Sequence, residues 1–449
     1  MANDDGLDNT PLTLAIVSSA DNGDVTLNAE DNTFTYESDD AFTGSDSFIY
    51  SVTDDEGASD SATVTITVSA PPAEGEVPLE GYGTNSTFGG GAGFETCRVT
   101  NLNNSGDGSF RDCATNRNGP TDNPTPRTVV FEVGGTITLT SDLHIRQPYI
   151  TIDGLTAPEP GITFAKSGNG VDGGVTISTW PGEGTCGHDV LIQGIRSVGV
   201  WDGDTEDTSN NATTFGLDGE DLTRCLNNVV ANRITVTNAQ DSAGDIWGSA
   251  TNVTYQYSAF LMNLHPSTIS HSPGGEANQE RERISLHHNL FALFHERGPQ
   301  IRGNNLDFNF EQNIIHKWSD YGFGGGYGTR FRCRDGVCPQ RINVIENHWT
   351  SGGQGLQTAI IIGESSGSGG DYNTIAPEVY MSGNVLPISN NDEGNAPSEF
   401  SRTAEANVTL YNDNQLVSDV LPFIGAPYRT EREQQIFDEV ETRITQELE

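Results

Sequence analysis

Residues 281–303 read RERISLHHNLFALFHERGPQIRG. The stretch opens on an alternating run, Ile284-Ser285-Leu286-His287, and reaches Asn289 where a strand would turn. The same phrase recurs downstream. Asp307-Phe308-Asn309-Phe310 leads to Asn313, and Ile342-Asn343-Val344-Ile345 leads to Asn347. Upstream, short β-branched runs end in Asn, Asp or Gly: Tyr149–Asp153, Gly174–Ser178, Val190–Gly194, Val229–Ile234 and Val253–Tyr257. Starts about 20 to 40 residues apart fall in the range of solenoid repeats. Strands this short, with long irregular insertions, cannot bury a face alone; stacked as coils they share one core. The pattern predicts an all-β chain built on a right-handed parallel β-helix. Asn289, Asn313 and Asn347 would form a ladder at one coil corner. A sandwich or propeller would need paired strands joined by tight hairpin turns, and such signals are scarce here.

At 449 residues the chain is too long for one ordinary core, so two domains are expected. The division expected is 1–69, a linker at 70–79, and 80–449. The first 69 residues carry fifteen Asp and Glu, and the first basic residue of the chain is Arg98. Five short alternating runs, from Leu12–Ile16 to Ala62–Val68, read as a small antiparallel β-sandwich. The run FTGSDSFIYSVTDDEGASDSATVTITVS resembles the cadherin-like tandem repeats of bacterial surface and secreted proteins. Asp54, Asp55, Glu56 and Asp60 have the oxygens to ligate Ca²⁺, but a solvated acidic turn is the simpler reading. Ala70-Pro71-Pro72-Ala73-Glu74-Gly75 reads as linker. Near the other end, Ile436, Val440 and Ile444 are spaced four apart, the face of a helix that caps the solenoid or packs along it.

The formal net charge is −41, with only two lysines, Lys166 and Lys317. Such a surface excludes nucleic acid and anionic membranes as expected partners. No apolar run is long enough to span a bilayer. The six cysteines suggest disulfides and an oxidising compartment, hence a secreted or cell-surface monomer. Proximity favours Cys97–Cys113 and Cys333–Cys338, leaving Cys186 and Cys225.

Two acidic motifs, Asp218-Gly219-Glu220-Asp221 and Asp241-Ser242-Ala243-Gly244-Asp245, precede successive strands. Stacking would set them side by side, and clustered carboxylates repel unless a hard cation such as Ca²⁺ neutralises them. Residues 281–341 run against the overall charge, with eight Arg and one Lys against six acids. Arg297 and Arg302, five apart, can converge on one carboxylate. Arg330, Arg332 and Arg334 lie near Tyr321, Phe323 and Tyr327. Guanidiniums with aromatic rings suit an anionic sugar, so Arg330, Arg332 and Tyr321 are candidate substrate contacts.

ISLHHNLFALFHERGPQIRG resembles the HHN…R-x-P-x-x-R segment of polysaccharide lyase family 1, the pectate lyases. NAQDSAGDIWGSATNVTYQYS resembles that family's acidic strand and the strand after it. TCRVTNLNNSGDGSFRDC and VLPFIGAPYRTEREQQIFDEVETRI resemble its terminal segments. The resemblance implies Ca²⁺-assisted β-elimination of a polyuronate, an acidic polysaccharide. It assigns Asp241 and Asp245 as Ca²⁺ ligands, with Asp221, or its neighbours Asp218 and Glu220, as the ligand of the preceding coil. Arg297 corresponds to the base and Arg302 to the clamp on the substrate carboxylate. One position departs: the family's lysine falls on His265, and the nearby His271-Ser272-Pro273-Gly274 offers no lysine either. His265 therefore joins the catalytic candidates. Two other readings stay open, a non-catalytic carbohydrate-binding β-helix and a polygalacturonase-like hydrolase.

Overall fold

The computed structural model describes residues 12–28, 33–39, 42, 44–68, 77–84, 88, 95–114, 126–141, 143–146, 148–167, 174–179, 186–201, 214–219, 225–240, 243–270, 281–303, 305–318, 327–332, 340–350, 358–362, 379–386 and 408–448. The chain divides into two units, 1–77 and 78–449. In the first, strands Thr13–Ser18, Gly44–Thr53 and Ser59–Val68 form one antiparallel sheet, and Gly23–Asn28 pairs with Thr33–Ser38. Phe34 packs on Phe48 and Tyr50, with ring centroids 5.3 and 5.2 Å away, in a small core. Asp46 is buried there because Asp21, Asn22 and Ser47 each donate a backbone N–H to it. Asp54 accepts from the N–H groups of Glu56 and Ala58, folding its own acidic turn.

The second unit is the parallel β-helix. Its first wall has ten strands, from Glu95–Val99 to Val379–Ser382. The second and third walls have eight each, Gly135–Leu139 to His348–Trp349 and Leu143–Ile145 to Thr358–Ile362. One coil runs Ala250–Gln256, Ala259–Asn263, Thr268–Ser270, and the next Arg281–His287, Leu290–Phe294, Gln300–Arg302. Each strand pairs in parallel with its counterpart one coil away. Alternation along each strand sends one set of side chains inward. Val229, Val253, Ile284, Phe308, Ile342 and Val379 thereby stack in register as a closed column, none more than 1% exposed. Each such side chain contributes about 1.5–3 kcal/mol of burial.

Between the first and second walls, four successive coils each turn through one left-handed residue. Tyr257, His288, Gln312 and Glu346 have φ of 46°, 54°, 55° and 52°. Ser258, after the first of these, donates its N–H to Asn289 Oδ1 at 2.9 Å, and the residues after the other three belong to the expected ladder, which runs Asn289, Asn313, Asn347 and on to Asn384. Each asparagine Nδ2 donates to the Oδ1 of the next at 3.0 to 3.1 Å. The amide also donates to a strand carbonyl, as Asn313 does to Leu286 O at 2.8 Å. The corner's backbone groups, closed off from water, are thus satisfied by side chains.

The helix Glu431–Leu448 packs along the second wall through Ile436, Phe437, Val440 and Ile444. Arg196, on strand Ile195–Val198 of that wall, donates from Nε and Nη2 to Glu433, both at 2.8 Å. His348 reaches Glu447 at 2.9 Å. Of the two sequence options, the helix takes the side of the solenoid. Cys97 pairs with Cys113, and Cys186 with Cys225. The expected Cys333–Cys338 pair lies outside the described residues.

Asn313→Ala removes an acceptor from both the backbone and the amide of Asn289, and a donor from Leu286 O. Buried groups left unsatisfied cost about 1–3 kcal/mol each. Urea unfolding should show a loss of about 3 kcal/mol or more. A loss within error would mean the ladder carries no stability.

Candidate active site on the third wall

Ile246, Ile269 and Ile301 are fully buried in the core, so their strand neighbours project from the outer face of the third wall. Leu217 and Phe331 place strands Phe215–Asp218 and Tyr327–Arg332 in the same alternation. Asp218 projects from the first of these strands, Asp245 from Asp245–Trp247, Gln300 and Arg302 from Gln300–Arg302, and Arg330 from Tyr327–Arg332. Asp218 aligns with Trp247 across one strand pair, so the two carboxylates belong to adjacent coils. Arg302 lies two strand steps beyond Asp245, about 10 Å along the stack. The acidic and basic motifs therefore face the same side of the solenoid.

Asp245 is 3% exposed. Its Oδ1 accepts the Thr268 N–H at 2.6 Å and its Oδ2 the Trp247 indole N–H at 2.5 Å. These bonds fix its orientation while a carboxylate retains further lone pairs. Asp218 is half-buried, and its charge opposes the lowering of the Arg146 pKa that burial causes.

The turns that enter the third wall are also stacked. Ala243 and Gly244 N–H groups donate to His265 O and Pro266 O, at 3.1 and 2.8 Å. Ser267 N donates to Arg297 O at 3.0 Å, and Gly298 N to Gly328 O at 2.7 Å. His265 and Arg297 thus follow each other directly up the stack, beside the end of the acidic motif. Arg297 takes a left-handed backbone, φ 68°. Glu296 Oε1 lies 3.4 Å from His265 Nε2 and 3.3 Å from Arg297 Nε, one oxygen between two cationic groups. Burial alone would push the Glu296 carboxyl up. The hydrogen bond from His265 and the charges of Arg297, His265 and His295 outweigh it and hold the group at about 2.

Asp218, Asp245, Arg302 and Arg330 therefore share the outer face of the third wall, and His265 and Arg297 lie in the stacked turns that enter it. Arg332 pairs with Arg302 through the backbone. Its side chain, with Asp221, Asp241, Tyr321 and the His271–Gly274 segment, lies outside the described residues. Glu296 was not singled out from the sequence. Its one signal was an acid placed directly before the first arginine of a positive strip.

A family profile described as a bacterial Ig domain matches residues 1–67. A protein named probable pectate lyase C from Neosartorya fischeri is 30% identical over 339 residues, 74% of this chain and 67% of the relative. The one from Aspergillus terreus is 30% identical over 318 residues, 70% of this chain and 64% of the relative. The chain belongs to the pectate lyase family. It spans about two thirds of the length of these family relatives. Among solved structures, a pectate lyase from Bacillus sp. N165 in complex with trigalacturonate has TM-score 0.51 at 16% identity, covering 78% of this chain and 99% of that one. Jun a 1, the major cedar pollen allergen, has TM-score 0.51 at 14% identity, covering 78% and 92%. At these identities the likeness is one of fold.

The depressed Glu296 pKa predicts a sign. A carboxyl held below its unfolded value contributes stability that is present above about pH 4.5 and lost as pH falls toward 2. Glu296→Gln should melt below the parent at pH 7, and the gap should narrow from pH 5 to pH 3. A gap independent of pH would show that Glu296 acts by packing alone.

Proposed function

We propose that this protein is a calcium-dependent polysaccharide lyase that cleaves a polyuronate, pectate or polygalacturonate foremost, by β-elimination. The observation that carries the reading is the shared outer face of Asp218, Asp245 and Arg302, with Arg297 in the stacked turns that enter it. Family membership supports it, as do the arginines gathered on an otherwise acidic chain. A secreted protein acting on an acidic polysaccharide accords with the disulfides. No helix among the described residues is long and apolar enough to cross a membrane.

Asp218 and Asp245 would hold Ca²⁺, together with Asp221 and Asp241. The donors are all oxygens, the hard set this ion takes, and Asp245 is already oriented by Thr268 and Trp247. Bound there, the ion would neutralise the uronate carboxylate and so acidify the adjacent C5–H. Arg302 pairs with the same carboxylate and stabilises the charge that builds on it in the transition state. Arg297 takes the C5 proton. The electron pair left behind forms the C4–C5 double bond as the C4–O bond breaks, and the leaving oxygen is protonated by solvent. An arginine acts as base only when surrounding cations and burial favour its neutral form, so the reaction should favour alkaline pH. His265 occupies the position of the missing lysine. Its contact with Glu296 supports a positively charged ring, which would add to the cationic wall around the substrate.

Polygalacturonate should give ultraviolet absorbance from the unsaturated end, abolished by EDTA and restored by Ca²⁺. Arg297→Ala should lower kcat by at least about 100-fold with the far-ultraviolet dichroism unchanged. Absorbance absent for every polyuronate would leave the binding reading, and new reducing ends without absorbance the hydrolase. His265→Lys should raise kcat above pH 7, where an imidazole loses charge and an ammonium does not. A loss there would mean that the ring has a role of its own.

A further inference from the structure

A second cluster lies away from the third wall, at the corner between the first and second walls. Residues 78–84 run over the first wall: Glu80 N donates to Gln256 Oε1 at 2.8 Å and Gly83 N to Thr254 Oγ1 at 3.0 Å. Segment 408–411 meets them there. Thr409 donates to both Glu80 oxygens, from N at 2.9 Å and Oγ1 at 2.5 Å. Tyr411 N donates to Gln312 Oε1 at 3.1 Å. Beneath both segments sit His287 and His288, each 0% exposed.

We propose that Glu80, His287 and His288 form a binding site for a divalent transition cation of the zinc type, separate from the acidic motifs of the third wall. Each offers one ligand atom, and the three atoms lie within 4.8 Å of one another. The Nδ1 atoms of the two rings face each other at 2.8 Å. Between neutral imidazoles that contact holds a single proton, so two ring nitrogens converge where one cation would fit. The Nε2 atoms of both rings are buried without a hydrogen-bond partner, although the main chains of Glu80 and Thr409 approach the rings.

Glu80 adds the charge argument. Its carboxylate is half-buried, and among the described residues it makes no ion pair. Its hydrogen bonds to Thr409 are all from neutral donors. A half-buried carboxylate beside two buried imidazoles lacks a counter-charge that a divalent cation would supply. Two nitrogens and one carboxylate suit zinc, whereas Ca²⁺ takes oxygen ligands. Tetrahedral zinc sets its nitrogen ligands roughly 3.3 Å apart, so the rings need part only slightly. The bound ion would fasten 78–84 and 408–411 to one corner of the solenoid.

The test uses the full chain, stripped with EDTA and dialysed. Titrated with zinc, it should bind one equivalent, and its melting temperature should rise by several degrees. Ca²⁺ at the same concentration should not reproduce the rise through this site, so the comparison is repeated in Glu80→Gln. That variant should lose at least tenfold in zinc affinity, since even an outer contact to a metal ligand is worth that much. It should keep any Ca²⁺ response of the parent. Cobalt in the parent should give the visible bands of a tetrahedral nitrogen–oxygen site, a readout that stands even if the variant fails to fold. Unchanged zinc affinity in the variant, substoichiometric zinc in the parent, or octahedral cobalt bands would each overturn the proposal. Activity on polyuronate plays no part in these readouts, so the site stands or falls independently of the lyase reading.

Discussion

Everything in the larger unit depends on coils pairing in register. A parallel ladder sets equivalent residues of neighbouring coils about 4.8 Å apart, whatever their separation in sequence. Leu226 pairs with Ala250, Ala250 with Arg281, and Arg281 with Asn305, although the intervening lengths differ. Insertions are absorbed outside the pairing strands. A one-residue slip would turn the column from Val229 to Val379 outward and bury Asp245 and Arg302 in the core. The same register that makes the core makes the active face.

The ladder at the corner guards that register. Left-handed residues turn the chain at His288, Gln312 and Glu346, and the asparagine that follows each ties its coil to the next through both backbone and side chain. A side-chain amide suits the task because it donates and accepts at once and so propagates along a stack. The corner also crowds polar groups into the interior. That is why His288, one residue before Asn289, is buried with its ring stacked on Tyr257 at 4.7 Å.

The repeat, the ladder and the acidic and basic motifs were legible because each is a local pattern of residue types. Asn289, Asn313 and Asn347 could be read from their place after a strand, and Asn384 was missed because the run before it, Val379–Ser382, is short. The pairing of Cys186 with Cys225 follows from strands that stack across 39 residues, a separation that proximity in sequence does not reveal. Glu80 belongs to the same class. Its partners His287 and Thr409 are remote in the chain, and only the packed segments bring them together. Side chains that act within one coil announce themselves, and those that act between segments do not.

Glu296 bears most directly on the chemistry. A carboxylate 3.3 Å from Arg297 Nε favours the protonated guanidinium, the form that cannot accept a proton. The same oxygen holds His265, which lacks the permanent charge of a lysine. The two effects oppose each other. Glu296 supports a cation at His265 and restrains loss of a proton from Arg297. A substrate carboxylate entering between these groups would compete with Glu296 for the same cations, because both are anions seeking the same pair of donors. Displacement of Glu296 from Arg297 would then accompany substrate binding. A base at Arg297, as proposed, would have to shed its proton against the pull of this half-buried carboxylate, a further reason for the proposed reaction to favour alkaline pH.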